Sequence, residues 1–171
     1  MKNVMDFLDR EEKEILHRSD DFQKALTQLR YEGKVYRGKN AKAAKQAIQR
    51  LGQLAARHDR FQSGVIFPFF EKHFPRYAAA VHLLQAEHDD ILKNKKKLAS
   101  SLQRFLKRPS GPAGQARIYQ RGIYLISLLR HHLGFEKKNI YRSIKKELHR
   151  KEYEEIKKKM NRWNQQHILR G

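Results

Sequence analysis

Cysteine is absent from this sequence of 171 residues. Disulfide bonds, thiolate metal sites and cysteine nucleophiles are therefore excluded. Long apolar runs are absent too, because no stretch approaches the ~18 residues that a membrane span requires. The N-terminus, MKNVMDFLDREEKEI, turns acidic at once and does not resemble a signal peptide. We therefore expect a cytoplasmic protein without a transmembrane segment.

The patterns of strands and of common active sites are also missing. No stretch alternates polar and apolar residues over more than a few positions, so the sequence predicts an all-α protein. It contains no glycine-rich phosphate loop and no nucleophile–base pair. We therefore expect a protein that binds or senses a ligand without turning over a substrate. An oxidase or peroxidase that uses a bound metal stays open as an alternative, although no residue marks a substrate pocket.

Acidic residues are scarce relative to basic ones. The chain has 38 Lys and Arg against 18 Asp and Glu, which gives a formal net charge of +20. Such a positive field attracts nucleic acid, anionic membrane surfaces or acidic proteins. The alternative is a charged surface that serves solubility alone.

The hydrophobic periodicity predicts four long helices, at residues 9–32, 41–73, 75–107 and 115–147. Asn40 is the expected N-cap of the second helix, and Pro68 is expected to kink that helix or to end it early. The loop RPSGPAG at 108–114 separates the last two helices. Four long helices joined by short connections predict an up-down-up-down antiparallel four-helix bundle.

The predicted bundle covers residues 1–147 and leaves residues 148–171 as a short C-terminal helical extension. One face of this extension is apolar, with Tyr153, Ile156, Met160 and Trp163 at helical spacing. Its other face is strongly basic. One interpretation is that the extension docks on an anionic surface, either a membrane or nucleic acid. The other is a fifth helix that packs against the bundle and leaves its charged face in water.

Two stretches of the sequence echo each other around a histidine. Each has leucines seven and four residues ahead of it: Leu51 and Leu54 before His58, then Leu125 and Leu128 before His132. Four residues after each histidine stands a further polar residue, Gln62 in the first copy and Glu136 in the second. On a helix these offsets share one face, so each histidine should point into the core with the residue that follows it.

The third helix carries a histidine in the same phase. His88 shares a face with Leu84 and Ile91, at offsets of four and three residues. In an antiparallel bundle, inward residues near the middle of neighbouring helices meet at one level. The residues that should converge on one buried site are His58, His88, His132 and Glu136. Three imidazoles and a carboxylate suit iron, manganese or zinc and poorly suit calcium or magnesium.

These motifs, HDRFQSGVIFP, AEHDDI and HHLGFEKKNIY, resemble those of the hemerythrin-like family, also called HHE cation-binding domains. The resemblance runs from about residue 10 to about residue 146. It implies a four-helix bundle that holds a non-haem di-iron centre with terminal histidine ligands and two bridging carboxylates. It also implies that the protein binds or senses dioxygen, responds to nitric oxide, or handles and senses iron.

Gln62 departs from the family pattern, because it stands where the family has its first bridging glutamate. A neutral amide is a poor bridge between two cations. We therefore group His88, His132 and Glu136 as one complete half-site and His58 with Gln62 as a depleted half. The expected centre is a mononuclear iron or a depleted di-iron site. The alternative is a vestigial metal site in a basic helical module that interacts with nucleic acid or another anionic surface.

Three further residues are candidates for a metal ligand or for contact with one. His17 is the single histidine of the first helix, but its phase differs from that of the apolar stripe. Ser19 has the inward phase instead, so we expect the first helix to have lost its ligand. Glu87, beside His88, could orient an imidazole near the metal, or it could be an ordinary solvated glutamate.

Overall fold

The computed structural model describes residues 2–32 and 37–168. Its α-helices are α1 (Lys2–Tyr31), α2 (Arg37–Phe61), α3 (Phe67–His73), α4 (Ala78–Lys107), α5 (Gly111–Glu136), α6 (Arg142–Glu147) and α7 (Arg150–Ile168). The described residues contain no strand, which confirms the all-α prediction. Over the same residues, no helix has both the length and the apolarity to cross a membrane. The cytoplasmic location stays a prediction.

Two π-helical turns join helices into longer spans. Gln62–Ile66 connects α2 to α3, and Lys137–Tyr141 connects α5 to α6, with helical backbone angles at both ends of each turn. Each turn follows one of the two histidine motifs found in the sequence. Such turns are frequent at functional sites, because they shift the helix face by a fraction of a turn. Both copies of the sequence motif are therefore followed by the same structural feature, a π-helical turn.

Pro68 does not end the second helical span, which continues to His73. The proline lies in the first turn of α3, directly after the π-helical turn. At that position a missing backbone N–H and a fixed φ angle are tolerated. Of the two effects expected of Pro68, a kink or an early end, the early end is wrong, because the sequence did not reveal the π-helical turn that precedes the proline.

Three helices begin earlier than the sequence predicted: α1 at Lys2, α2 at Arg37 and α5 at Gly111, inside the predicted loop 108–114. Asn40 therefore lies within the first turn of α2 and is not its N-cap. Its side-chain amide instead donates hydrogen bonds to the Gln28 carbonyl at 3.2 Å and to the Glu32 carboxylate at 3.0 Å. Asn40 therefore ties α2 to the end of α1. Residues 33–36 of the predicted break lie outside the described residues.

The helices pack in a ring, in which α1 and α4 each contact both α2 and α5. Their apolar faces form two separate clusters along the bundle. The first cluster includes Leu8, Phe61, Leu84 and Ile140. The second cluster includes Ile15, Leu51, Ile91 and Leu133. On each of the four helices the chain crosses from one cluster to the other through buried polar residues, which we call the polar layer: Glu11, Glu12, His58, Gln62, His88, His132 and Glu136.

Helix α7 packs its apolar face against the bundle. Tyr153, Ile156, Met160 and Trp163 are buried in the first cluster. The Trp163 ring centroid lies 5.0 Å from that of Phe61. Glu155 on the flank of α7 contacts Lys72 at 3.1 Å and His73 at 3.0 Å. The C-terminal helix therefore completes the core at one end of the bundle.

Gly122 marks a close approach of α5 to α1. A Cβ atom at this position would overlap the side chain of Leu26, which is fully buried. We expect Gly122→Ala to lower the free energy of unfolding by roughly 1–2 kcal/mol, because overpacking outweighs the gain in helix propensity. Gly134→Ala, on the same helix with no atom within 4 Å of the added Cβ, should be neutral or stabilising. Urea denaturation of both variants tests this, and equal stabilities would contradict it.

Candidate metal centre

The polar layer brings together side chains from four helices. The three histidines predicted from the sequence, His58, His88 and His132, are all buried. They come from α2, α4 and α5, each at a position where an apolar stripe reaches the middle of the bundle. One nitrogen from each ring lies within 4.8 Å of the nitrogens of the other two. The sequence prediction that these imidazoles converge therefore matches their placement.

His88 and His132 face each other across the layer, with their Nε2 atoms 3.0 Å apart. The opposite nitrogen of each ring faces a carboxylate. His88 Nδ1 lies 2.7 Å from Asp59 Oδ1, and His132 Nδ1 lies 2.9 Å from Glu87 Oε2. A carboxylate that accepts the Nδ1 proton leaves the lone pair of the ring on Nε2, as Glu87 does for His132. Nδ1 of His88 lies close to Asp59 but forms no hydrogen bond to it.

The pKa of His132 supports a neutral ring with its proton on Nδ1. Burial, opposed by Glu136 and reinforced by His88 and His58, lowers the pKa of His132 to about 3. The ring is therefore neutral at neutral pH and carries a single proton, which the contact with Glu87 places on Nδ1. Nε2 of His132 then carries a lone pair, which can accept a hydrogen bond from Nε2 of His88 at 3.0 Å or bind a cation.

Glu136 lies in the other half of the layer. Its Oε2 is 3.1 Å from His58 Nε2, and its Oε1 accepts a hydrogen bond from the Gln62 side-chain amide. Burial alone would raise the pKa of Glu136, but His58 and His132 bring it below its usual value. Burial alone would lower the pKa of His58, but Glu136 and Glu11 raise it above its usual value. His58 and Glu136 therefore stabilise each other as a buried charged pair.

This pairing differs from the grouping expected from the sequence. Glu136 was grouped with His88 and His132, yet it contacts His58 and Gln62. Spacing along one helix places Glu136 near His132, but the neighbouring helix α2 decides which side chain its carboxylate meets. Gln62 is fully buried and acts as a hydrogen-bond donor to Glu136.

The first helix contributes a carboxylate that the sequence interpretation missed. Glu11 is 3% exposed, its Oε2 lies 4.0 Å from His58 Nδ1, and it also pairs with Arg57. Glu12 is buried beside it and pairs with Lys137 at 3.1 Å. Both glutamates fall inside the apolar stripe of α1, and this was the signal in the sequence that could have identified them. The loss of a metal ligand from the first helix stays a prediction, while Glu11 places a buried carboxylate of that helix beside His58.

The two candidates named for the first helix do not reach the layer. His17 is 67% exposed and lies 3.8 Å from Asp21 on the surface of α1. Ser19 is buried, but its hydroxyl donates a hydrogen bond to the Leu16 carbonyl at 2.7 Å. The outward phase expected for His17 and the inward phase expected for Ser19 agree with these positions.

Glu87 contacts two histidines of the facing helix. Its Oε2 is 2.9 Å from His132 Nδ1 and its Oε1 is 3.2 Å from His131 Nδ1. Neighbouring helical residues point in directions about 100° apart, so Glu87 and His88 face different partners. Glu87 therefore orients a ring on the facing helix α5. Asp59 takes the corresponding position beside His88.

A pocket of about 290 Å³ opens beside the histidines, between α2 and α4. Its walls are mostly apolar and include Gly52, Ile91 and Leu129, with His88 and His132 at its inner end. Lys95 lies along the space that a side chain at position 52 would occupy. A small, weakly polar molecule therefore has a route to the facing Nε2 atoms.

The residues present fit a transition-metal cation. His58 Nδ1 and Gln62 Oε1 are buried without a hydrogen-bond partner. Each such buried group destabilises a fold by ~1–3 kcal/mol. Imidazole nitrogens combined with a carboxylate are the donor set that iron, manganese and zinc prefer. A cation in the polar layer would give Gln62 Oε1 a partner and would replace the His58 proton that pairs with Glu136.

Comparison with known proteins agrees with this chemistry. The sequence pattern of the Hemerythrin HHE cation binding domain matches residues 3–144 of the chain. The matched region includes the whole polar layer, from Glu11 to Glu136. No curated protein matches the chain. The resemblance inferred from the sequence motifs is confirmed, and the chain belongs to the hemerythrin HHE cation-binding domain family.

Proposed function

We propose that this protein binds iron in the polar layer and uses it to bind or sense dioxygen, nitric oxide or iron itself. The observation that carries the proposal is the pair of Nε2 atoms of His88 and His132, 3.0 Å apart. Both rings face carboxylates through Nδ1, which is the arrangement of metal-ligating histidines. Membership of a cation-binding family supports the same conclusion.

The proposed metal ligands are His58, His88, His132 and Glu136. Gln62 occupies the place of the first bridging carboxylate of the family, so we propose a mononuclear iron or a depleted di-iron centre. Manganese or zinc fits the same donors. When bound, iron supplies a redox-active centre with coordination positions open to a diatomic molecule.

The residues around the ligands fix protons and orientations. Glu87 holds the imidazole proton of His132 on Nδ1, so that its Nε2 keeps the lone pair that a metal would bind, and Asp59 lies beside Nδ1 of His88. The apolar walls of the neighbouring pocket limit the water beside the site and admit a small molecule. These features support binding or sensing, because none of them provides groups that would act on a larger substrate.

We also propose the overall arrangement predicted from the sequence. It is an up-down-up-down bundle over residues 1–147, followed by an extension over residues 148–171. The short connections between long helical spans, and the contacts of α1 and α4 with both α2 and α5, support this order. The packing of Trp163 on Phe61 supports an extension that rests against the bundle.

The metal site can be tested with two histidines of one helix. We expect His88→Ala to lose most of the bound metal, because it removes one of the two facing Nε2 donors. His82→Ala is the matched control, since His82 is exposed on the same helix α4 and should keep the metal content of the parent protein. Elemental analysis of protein purified after growth with added iron, manganese and zinc measures the outcome.

A stability measurement accompanies this test in case His88→Ala folds poorly. Adding a chelator should lower the melting temperature of the parent protein and of His82→Ala, because a metal that binds only the folded state stabilises it. A parent protein that is purified without metal and whose melting temperature does not respond to added Fe²⁺, Mn²⁺ or Zn²⁺ would contradict the proposal.

Glu87 is expected to tune metal affinity without touching the metal. Glu87→Gln removes the negative charge that holds the His132 proton on Nδ1, and changes of this kind weaken metal binding by about 10- to 100-fold. Asp89→Asn, an exposed acid two residues further along α4, should leave the affinity unchanged. Competition for Zn²⁺ against a chromogenic chelator gives both constants. Equal affinities in the two variants would show that Glu87 has no positioning role.

A further inference from the structure

The positive charge of the chain is concentrated on one pair of helices. Between Ile91 and Phe135 the sequence has ten Lys and Arg and no Asp or Glu. This stretch forms most of α4 and nearly all of α5. By contrast, α1 alone holds seven of the acidic residues. The metal centre uses none of the cations between positions 91 and 135, so their concentration needs another explanation.

These cations line a groove on the outside of the α4–α5 pair. A recess of about 620 Å³ lies between Arg104, Lys107 and Arg108 on one side and Arg117 and Arg121 on the other. A second recess of about 440 Å³ shares Arg104 and Arg121 and extends the first towards Lys96 and Lys97. No acidic residue lines either recess. We call this continuous surface the α4–α5 groove.

The cations of the groove are exposed and have no carboxylate partner among the described residues. Arg121 donates a hydrogen bond to the Ser101 hydroxyl at 2.8 Å, which holds its guanidinium at the groove. Arg130, further along α5, behaves differently because it pairs with Asp20 at 2.7 Å. Unpaired like charges repel one another and are favourable when a polyanion neutralises them.

We propose that the α4–α5 groove binds the phosphodiester backbone of single-stranded nucleic acid. Guanidinium groups suit phosphate oxygens because each offers a fork of donors. From Lys97 to Lys107 the groove follows α4 for roughly 15 Å, which suits a thread-like polyanion better than a single phosphate. Its concave surface, rimmed by cations, is unlike the protruding apolar residues that insert into a membrane.

The position of Tyr124 favours nucleic acid over other polyanions as the ligand of the groove. It is 57% exposed, and it follows Arg117 by seven residues and Arg121 by three on α5. These offsets place the ring on the same face of the helix as the two arginines. An exposed aromatic ring beside a basic groove is the common platform on which a base stacks while its backbone is held by cations.

The groove is independent of the proposed metal function. Arg104 follows His88 by sixteen residues on α4, a distance of about 24 Å along the helix. Oligonucleotide binding should therefore be the same in the parent protein and in His88→Ala. Failure of metal binding would leave this proposal intact, and failure of oligonucleotide binding would leave the metal site intact.

The test is fluorescence anisotropy with a labelled oligothymidylate at several salt concentrations. Arg104→Gln/Arg121→Gln should weaken binding by roughly tenfold or more and should reduce the slope of log K against log salt by about one to two. Lys13→Gln/Lys24→Gln makes the same change in net charge on exposed positions of α1 and should change binding less than about twofold. Equal losses in both pairs would mean that net charge alone attracts the strand, and would overturn the proposal.

Two further probes separate the nucleic-acid strand from other anions. Tyr124→Ala should weaken oligothymidylate binding several-fold and leave inorganic tripolyphosphate binding unchanged, because only the strand carries bases. Tripolyphosphate that binds as tightly as the oligonucleotide, or phosphatidylserine vesicles that bind more tightly, would overturn the proposal.

A footprint on the parent protein avoids reliance on variants. Bound oligothymidylate should protect Lys96, Lys97 and Lys107 from acetylation and leave Lys13 and Lys24 reactive. Uniform protection of all five lysines, or none, would contradict a site in the groove.

Discussion

The arrangement of the bundle depends on two imidazole nitrogens that face each other inside it. The Nε2 atoms of His88 and His132 lie 3.0 Å apart, and a carboxylate lies beside Nδ1 of each ring. Two imidazoles in this position share a hydrogen bond or bind a common cation. In the proposed function, a metal ion takes the place of that hydrogen bond.

The polar layer also explains why the core is divided. Apolar residues continue above and below it on the four helices, so the side chains of the layer are held by packing on two sides. One π-helical turn begins at Gln62, within the layer, and the other begins directly after Glu136. Packing on two sides keeps the side chains of the layer oriented, which would reduce the ordering required if a metal binds there. Helix α7 closes the end of the bundle nearest to these turns through Trp163, which packs on Phe61.

The distribution of acids links the metal centre to the charged exterior. The acids that the layer contains or contacts include Glu11, Glu12, Asp59, Glu87 and Glu136. Others, such as Glu155, hold α7 against the bundle. The chain has only 18 acidic residues. Several of them lie in the interior or in the contact with α7, and none lines either recess of the α4–α5 groove. The net charge of +20 is therefore not spread evenly, and the unpaired arginines of the groove follow from where the acids are used.

The sequence by itself determined which side chains point inward. Helical periodicity placed His58, His88 and His132 on apolar stripes, and the structure buries all three. Periodicity acts within one helix, so it did not reveal which partner each side chain meets across the interface. The rotation and axial shift of neighbouring helices decided that Glu136 contacts His58 and that Glu87 contacts a ring on α5. A shift of a single residue turns a helix by about 100° and advances it by about 1.5 Å, which is enough to exchange these partners, and only tertiary packing fixes it.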